Sequence, residues 1–358
     1  MQRLGGLRRP NTGRKHTLTS YAMKIFTLTN NNGMQVSITN YGGRITKMLV
    51  PDREGNMRDV VLGFDKIDDY RHENNATDFG AAIGRYANRI GNGQITIDGH
   101  TLQLPQNNGN HCLHGGPDGW QYSLYEVESA SRNTLVLTMV SADGDNNFPG
   151  EVKVRLSYHL TEDNRLNIAY HATTDATTVI NMTNHSYFNL NGDGNTTILN
   201  HLLTIDADQY TPIDETYLPK GMKAPVENTP FDFRQPKAVG RDIALQHEQL
   251  LNGNGYDHNW VLNTRGDVAK PCARLQSPTT GIVMEVFTSE PGMQIYTGNF
   301  LDGSIIGKGG IAYGQRSAIC LETQKYPNSP NNNWPESNAY LHPDESFDSQ
   351  TTFAFSVE

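Results

Sequence analysis

The sequence predicts an all-β fold: a large antiparallel β-sandwich with a few short helices. Three observations carry this expectation. Apolar and polar residues alternate with a period of two, turn-forming residues interrupt the chain at short intervals, and helical periodicity is scarce. The first strand pattern is Met23-Lys24-Ile25-Phe26-Thr27-Leu28, and Met34, Val36 and Ile38 form the next. Ile95 and Ile97, then Asp98-Gly99, then Leu102 and Leu104 spell a hairpin, because Asp-Gly accepts the positive φ of a tight turn. Val152, Val154, Leu156, Tyr158 and Leu160 interleave with Glu151, Lys153, Arg155, Ser157 and His159, as in a strand with one wet face. Leu166, Ile168, Tyr170 and Ala172 repeat the pattern across the polar turn Thr161–Asn164. Asp242–Leu251 is the best helical stretch, short and amphipathic, and Ile282, Met284 and Val286 return to strand periodicity.

The 358 residues are many for one domain, but all-β sandwiches reach this size as single units. Residues 23–358 contain no linker and no fixed-period repeat, so one domain is expected there. Residues 1–22 are basic, with Arg3, Arg8, Arg9, Arg14 and Lys15, and lack the apolar stretch of a secretory signal. They read as a disordered extension or the product of an upstream start codon. Hydrophobic residues make up 36% of the chain, enough for a core, while 34 glycines and 17 prolines supply the turns.

Twenty-nine basic residues stand against 38 acidic ones, a net charge of −9, which argues against a nucleic-acid partner. No apolar run approaches the ~18 residues of a membrane span. Cys112, Cys272 and Cys320 are odd in number and widely spaced, as expected of buried thiols in a reducing compartment, so a cytoplasmic location is expected.

Several local patterns imitate motifs. His111-Cys112-Leu113-His114 places two histidines three apart, without the helix or carboxylate of a metal site. Asp143-Gly144-Asp145-Asn146-Asn147 opens like a calcium loop, but Phe148 and Val154 stand where glycine and glutamate are needed. Gly307-Lys308-Gly309-Gly310 lacks the rest of a phosphate loop. Asn184-His185-Ser186 is formally a glycosylation sequon. No protein-bound metal is expected from these, although a structural cation such as calcium at the acidic surface is compatible with the sequence.

Polar clusters in strand-and-turn contexts remain: Gly84–Ile90, Leu113–Gly116, Asn181–Leu190, Gly255–His258, Pro291–Asn299 and Leu321–Pro327. Each has an ordinary structural reading. A histidine beside Gly-Gly is commonly a turn residue, and His185 could be a strand histidine bonded to a carbonyl. Glu322 follows the apolar run Ala318-Ile319-Cys320-Leu321, where a carboxylate is costly to bury without a partner. Together they supply the histidines, carboxylates, guanidinium and amides that recognise hydroxyls, with Tyr and Phe for the apolar faces of a sugar ring. No Gly-x-Ser-x-Gly nucleophile is present, which leaves general acid–base chemistry to a histidine and a carboxylate.

These clusters, with Asn40–Gly43, Asp143–Gly150, Phe231–Phe233, Gly298–Leu301 and Glu322–Asn331, resemble in order the aldose 1-epimerase (galactose mutarotase) family over essentially residues 23–358. The resemblance implies the galactose mutarotase-like supersandwich with an open cleft, and interconversion of the α and β anomers of aldohexoses. It implies Glu322 as the base at the C1 hydroxyl, His185 as the acid at the ring oxygen, and His114 as a sugar-binding histidine sharing the acid role. Asn88, Arg89, Asp257 and Gln294 fall on substrate-binding positions, and Tyr187 belongs to the same motif as His185. A carboxylate neighbour should keep His185 protonated at pH 7. No cofactor is required, and a monomer or weak dimer is expected. A hexose-6-phosphate epimerase, or a non-catalytic carbohydrate-binding sandwich, are the alternatives on the same fold.

Overall fold

The computed structural model describes residues 22–358 apart from Asp193 and Asn195. The expected N-terminal extension, residues 1–22, thus lies outside the described residues except for Ala22. Strands dominate what is described, and three larger antiparallel sheets organise them.

The nine-stranded sheet contains the alternating segments read from the sequence. Val152–Leu160 pairs with Arg165–Thr174, Leu156 opposite Tyr170. The intervening Thr161–Asn164 turn closes with Asn164 in the left-handed region, at φ 61°. Phe347–Val357 and Ile282–Thr288 continue the sheet on one side, Thr134–Ser141 and Glu126–Ala130 on the other. Lys153, Arg155 and His159 face solvent while their neighbours are buried, as period two requires.

Those buried faces meet the four-stranded sheet (Ile25–Thr29, Gln35–Thr39, Arg44–Pro51, Met57–Asp59) and a five-stranded sheet. One buried apolar cluster runs through all three, including Val36, Ile45, Leu156, Tyr158, Trp260, Ile295 and Leu321. Truncating a side chain such as Leu156 to Ala there costs ~2–5 kcal/mol. The predicted hairpin forms as Gln94–Ile97 and His100–Gln103, with Asp98 and Gly99 both at positive φ. All three cysteines are free and buried.

The helix is shorter and later than its sequence pattern suggests, spanning Glu248–Gly253. Asp242 accepts an ion pair from Lys237, and the chain turns through Leu245 until His247 caps the helix by accepting the Gln249 N–H. Among the described residues, no helix is long and apolar enough to cross a membrane.

The imitated motifs resolve into structure. Asp143 and Asp145 accept from Gly150 N–H and Ser141 Oγ–H. Lys308 is tied down by Asp59 and the Val61 carbonyl, and His111 bonds Asn92 N–H and Thr216.

Candidate active site

The five-stranded sheet has order Ala224–Pro225, Gln209–Thr211, Asp257–Val261, Gly292–Tyr296, Cys320–Gln324. Its inner face carries Trp260, Met293, Ile295 and Leu321 into the core. Period two turns Asp257, Gln294, Tyr296 and Glu322 to the opposite face. Gln294 pairs in register with Glu322, and Asp257 with Tyr296, so the polar groups stand side by side.

A second chain segment brings His185. Phe188 and Ile319 exchange both backbone hydrogen bonds, at 2.8 and 2.9 Å. This isolated bridge brings the Thr183–His185 segment alongside the strand Cys320–Gln324, with which it shares no ladder. The opposite edge of the short strand Thr183–His185 pairs with Ala81–Ile83, and Gly80 N–H donates to the His185 carbonyl. His185 Nε2 lies 2.8 Å from Glu322 Oε1. This approach is off the hydrogen-bond axis: Glu322 Oε1 and His185 Nδ1 are both buried without a hydrogen-bond partner among the described residues. The pair is therefore a close charge contact with hydrogen-bonding capacity unspent.

Burial alone would push the His185 imidazole down. The Glu322 charge and contact, followed by Asp78, outweigh that and hold it up at about 9. The expected carboxylate neighbour is thus Glu322 itself, reinforced by Asp78.

His114 is held differently. Arg89 pairs with Leu113, and one residue further Asn88 and His114 lock together: His114 N–H donates to the Asn88 carbonyl, and Asn88 N–H donates to His114 Nδ1 at 3.0 Å. With Nδ1 accepting, the neutral ring carries its hydrogen on Nε2. Burial, aided by the neighbouring His185, pushes this imidazole down to about 4 against the pull of Asp78. His114 is thus placed to donate from Nε2 into the cleft, with burial favouring its neutral form.

Arg89 is almost fully buried, its Nε donating to Asn108 and its guanidinium 4.9 Å from the Tyr217 ring centre. Burial lowers it, while Asp257 counters. Asp257 is raised by burial, opposed by Arg89 and by the hydrogen bond from Gln294 Nε2 at 2.8 Å. Tyr187 stacks on His185 with ring centres 5.0 Å apart and is braced edge-on by Phe79.

His185, Glu322, His114, Asn88, Arg89, Tyr187 and Asp257 line one cleft of about 200 Å³. That is below the ~300–1,000 Å³ of sites for drug-sized ligands, and suits a single small polar ring. Gln294 does not line it; it reaches the site through Asp257. Asp78, Asn108, Tyr296 and Phe300 also line the cleft and were not singled out from the sequence. Glu322 and His185 are 3% and 5% exposed, whereas Phe300 is 55% exposed, so the charged pair lies at the floor and Phe300 at the mouth.

One ligand-type atom each of Asp78, His114 and His185 falls within 4.8 Å of the others, the one such grouping among the described residues. The Asn88 N–H argues against metal ligation there, because it consumes the one free lone pair of His114. The arrangement instead offers a carboxylate acceptor and a charged imidazolium donor about one hydrogen bond apart, both buried at the floor of the cleft. Such a pair can take a proton from one oxygen of a bound ring while giving one to another.

A family model described as aldose 1-epimerase matches residues 24–354. The galactose mutarotase of Sus scrofa is 43% identical over 325 residues, covering 90% of this chain and 92% of that protein. The aldose 1-epimerase of Escherichia coli (strain K12) is 36% identical over 336 residues, covering 94% and 96%. Among solved structures, a GalM/aldose epimerase homologue from C. elegans superposes with a TM-score of 0.86 at 31% identity, covering 94% of this chain and 99% of that one. A galactose 1-epimerase from Lactobacillus acidophilus NCFM gives 0.81 at 30% identity, covering 94% and 95%.

Proposed function

The chain belongs to the aldose 1-epimerase family, and from that premise we propose how its cleft performs the reaction. It is an isomerase that interconverts the α and β anomers of aldoses such as galactose and glucose. Glu322 takes the proton of the C1 hydroxyl as the C1–O1 bond becomes a carbonyl. The C1–O5 bond breaks with its electron pair going to O5, which receives the His185 proton. Rotation about C1–C2 presents the other carbonyl face. O5 then returns its proton to His185 as it closes the ring, and O1 recovers the proton from Glu322. Protons and electrons balance without a redox group, a metal or a phosphate, which supports a cofactor-free enzyme.

The observation that carries this reading is the 2.8 Å contact between His185 Nε2 and Glu322 Oε1, two buried groups that line the cleft together. A sugar ring seated in the cleft presents O1 to the Glu322 carboxylate and O5 to the His185 imidazole. His114 donates from Nε2 to a ring substituent, while Arg89 and the Asp257–Gln294 pair hold hydroxyls on the other side. Each positioned proton transfer supplies ~10²–10⁴ in rate, and orientation adds to it.

All these groups come from one chain, so a monomer or weak dimer suffices. Three buried, unpaired thiols favour a reducing compartment such as the cytoplasm. Polarimetry of freshly dissolved α-D-galactose or α-D-glucose tests the reading: rotation should relax faster than in buffer in proportion to enzyme. A protein that binds these sugars without accelerating relaxation would be a binding module instead.

A further inference from the structure

We propose that Asp78 is the standing counter-charge of the His185 acid, the carboxylate that stays beside the imidazolium when Glu322 engages the C1 hydroxyl of the sugar. The proposal rests on the reading of His185 as the acid. In the free site Glu322 is in contact with His185, yet in the reaction Glu322 must accept a proton and lose its charge. Without a second anion, the support for the imidazolium would fade as the sugar docks.

Asp78 is placed to supply it. A carboxylate oxygen of Asp78 and ring nitrogens of His185 and His114 lie within 4.8 Å of one another, and Asp78 lines the cleft. Its Oδ1 is buried with no hydrogen-bond partner among the described residues; the buried Arg44 feels its charge but spends its guanidinium on the carbonyls of Gln121, Thr77 and Phe79. The segment is held in place because Arg44 donates to the carbonyls of Thr77 and Phe79 on either side, and Gly80 N–H donates to the His185 carbonyl. The other groups around His185 do not substitute. His114 and Tyr187 are neutral there, and Arg89 and Asp257 face each other in charge. Asp78 acts through His185 and is thus a positioning residue.

The test compares the pH dependence of kcat/KM for the wild type, Asp78→Asn and Asp78→Ser, with buffer rates subtracted, and follows the His185 imidazole by NMR titration. Both neutral variants should lower the alkaline limb and the His185 midpoint by about one pH unit, while Asp78→Glu restores much of the shift. If folded neutral variants keep the wild-type limb and midpoint, the proposal is overturned. Should His185→Asn itself remain active, the acid assignment fails instead, whatever Asp78 does.

Discussion

His185 Nε2 and Glu322 Oε1 stand 2.8 Å apart on neighbouring strands, buried and in ionic contact but not aligned as a hydrogen bond. The isolated Phe188–Ile319 bridge brings the two segments together, and each is held from its other side by a paired strand, Ala81–Ile83 for His185 and Gly292–Tyr296 for Glu322. A rigid scaffold of this kind keeps two proton-transfer groups oriented before substrate arrives.

The held-up His185 makes stability depend on pH. Burial opposes its charge, but the two carboxylates win and place it at about 9, above the ordinary value of 6.5. Its stabilising contribution is therefore complete below pH 6.5 and lost as pH rises through 9. Urea unfolding between pH 6 and 10 should show stability declining across that window, and His185→Asn should flatten the decline.

His114 should behave as a donor, not as an acid. Burial has pushed it down to about 4, so its loss removes a neutral hydrogen bond. His114→Gln should lower kcat/KM by roughly tenfold, chiefly through KM, and leave the alkaline limb in place. A shift of that limb would give His114 a share of the proton transfer.

Much of this site was legible through the resemblance, which implied Glu322, His185 and the sugar-binding positions; the strands show how they are presented. In the structure Leu321 and Ile295 face the core, and Glu322 and Gln294 are turned the other way. Asp78 was not legible: Thr77-Asp78-Phe79-Gly80 reads as a turn, and its place beside His185 comes from Arg44 and from a backbone pairing over a hundred residues distant in sequence. Gln294 shows a related limit. The resemblance implied a substrate-binding position for it, and in the structure its amide donates to Asp257, a diagonal contact across the sheet that neither segment shows alone. Phe300 lay inside a recognised cluster, but its exposure at the mouth depends on the loop after Gly292–Tyr296.

Gly80 should prove indispensable for a geometric reason. Its φ is +68°, and a Cβ there would run into the Ile45 carbonyl. Gly80→Ala should cost at least ~2 kcal/mol in chemical denaturation, and folded variant should lose activity because the Gly80–His185 pairing positions the acid. Wild-type stability in that variant would show that the loop repacks freely.

The charge of the cleft should select neutral sugars. Asp78, Asp257 and Glu322 line it beside the cations Arg89 and His185, and among the described lining residues there is no further cation for a phosphate. Glucose 6-phosphate should show kcat/KM ~100-fold or more below glucose, measured by polarimetry under the same conditions. Equal values would favour the hexose-6-phosphate alternative.

The acid–base assignment is tested most directly by kcat for α-D-galactose mutarotation in Glu322→Gln and His185→Asn, each confirmed folded by circular dichroism. Both should fall ~10²–10⁴-fold, with binding of a non-reacting 1,5-anhydrosugar retained. Turnover within a few-fold of wild type in either variant would contradict the role given to that residue.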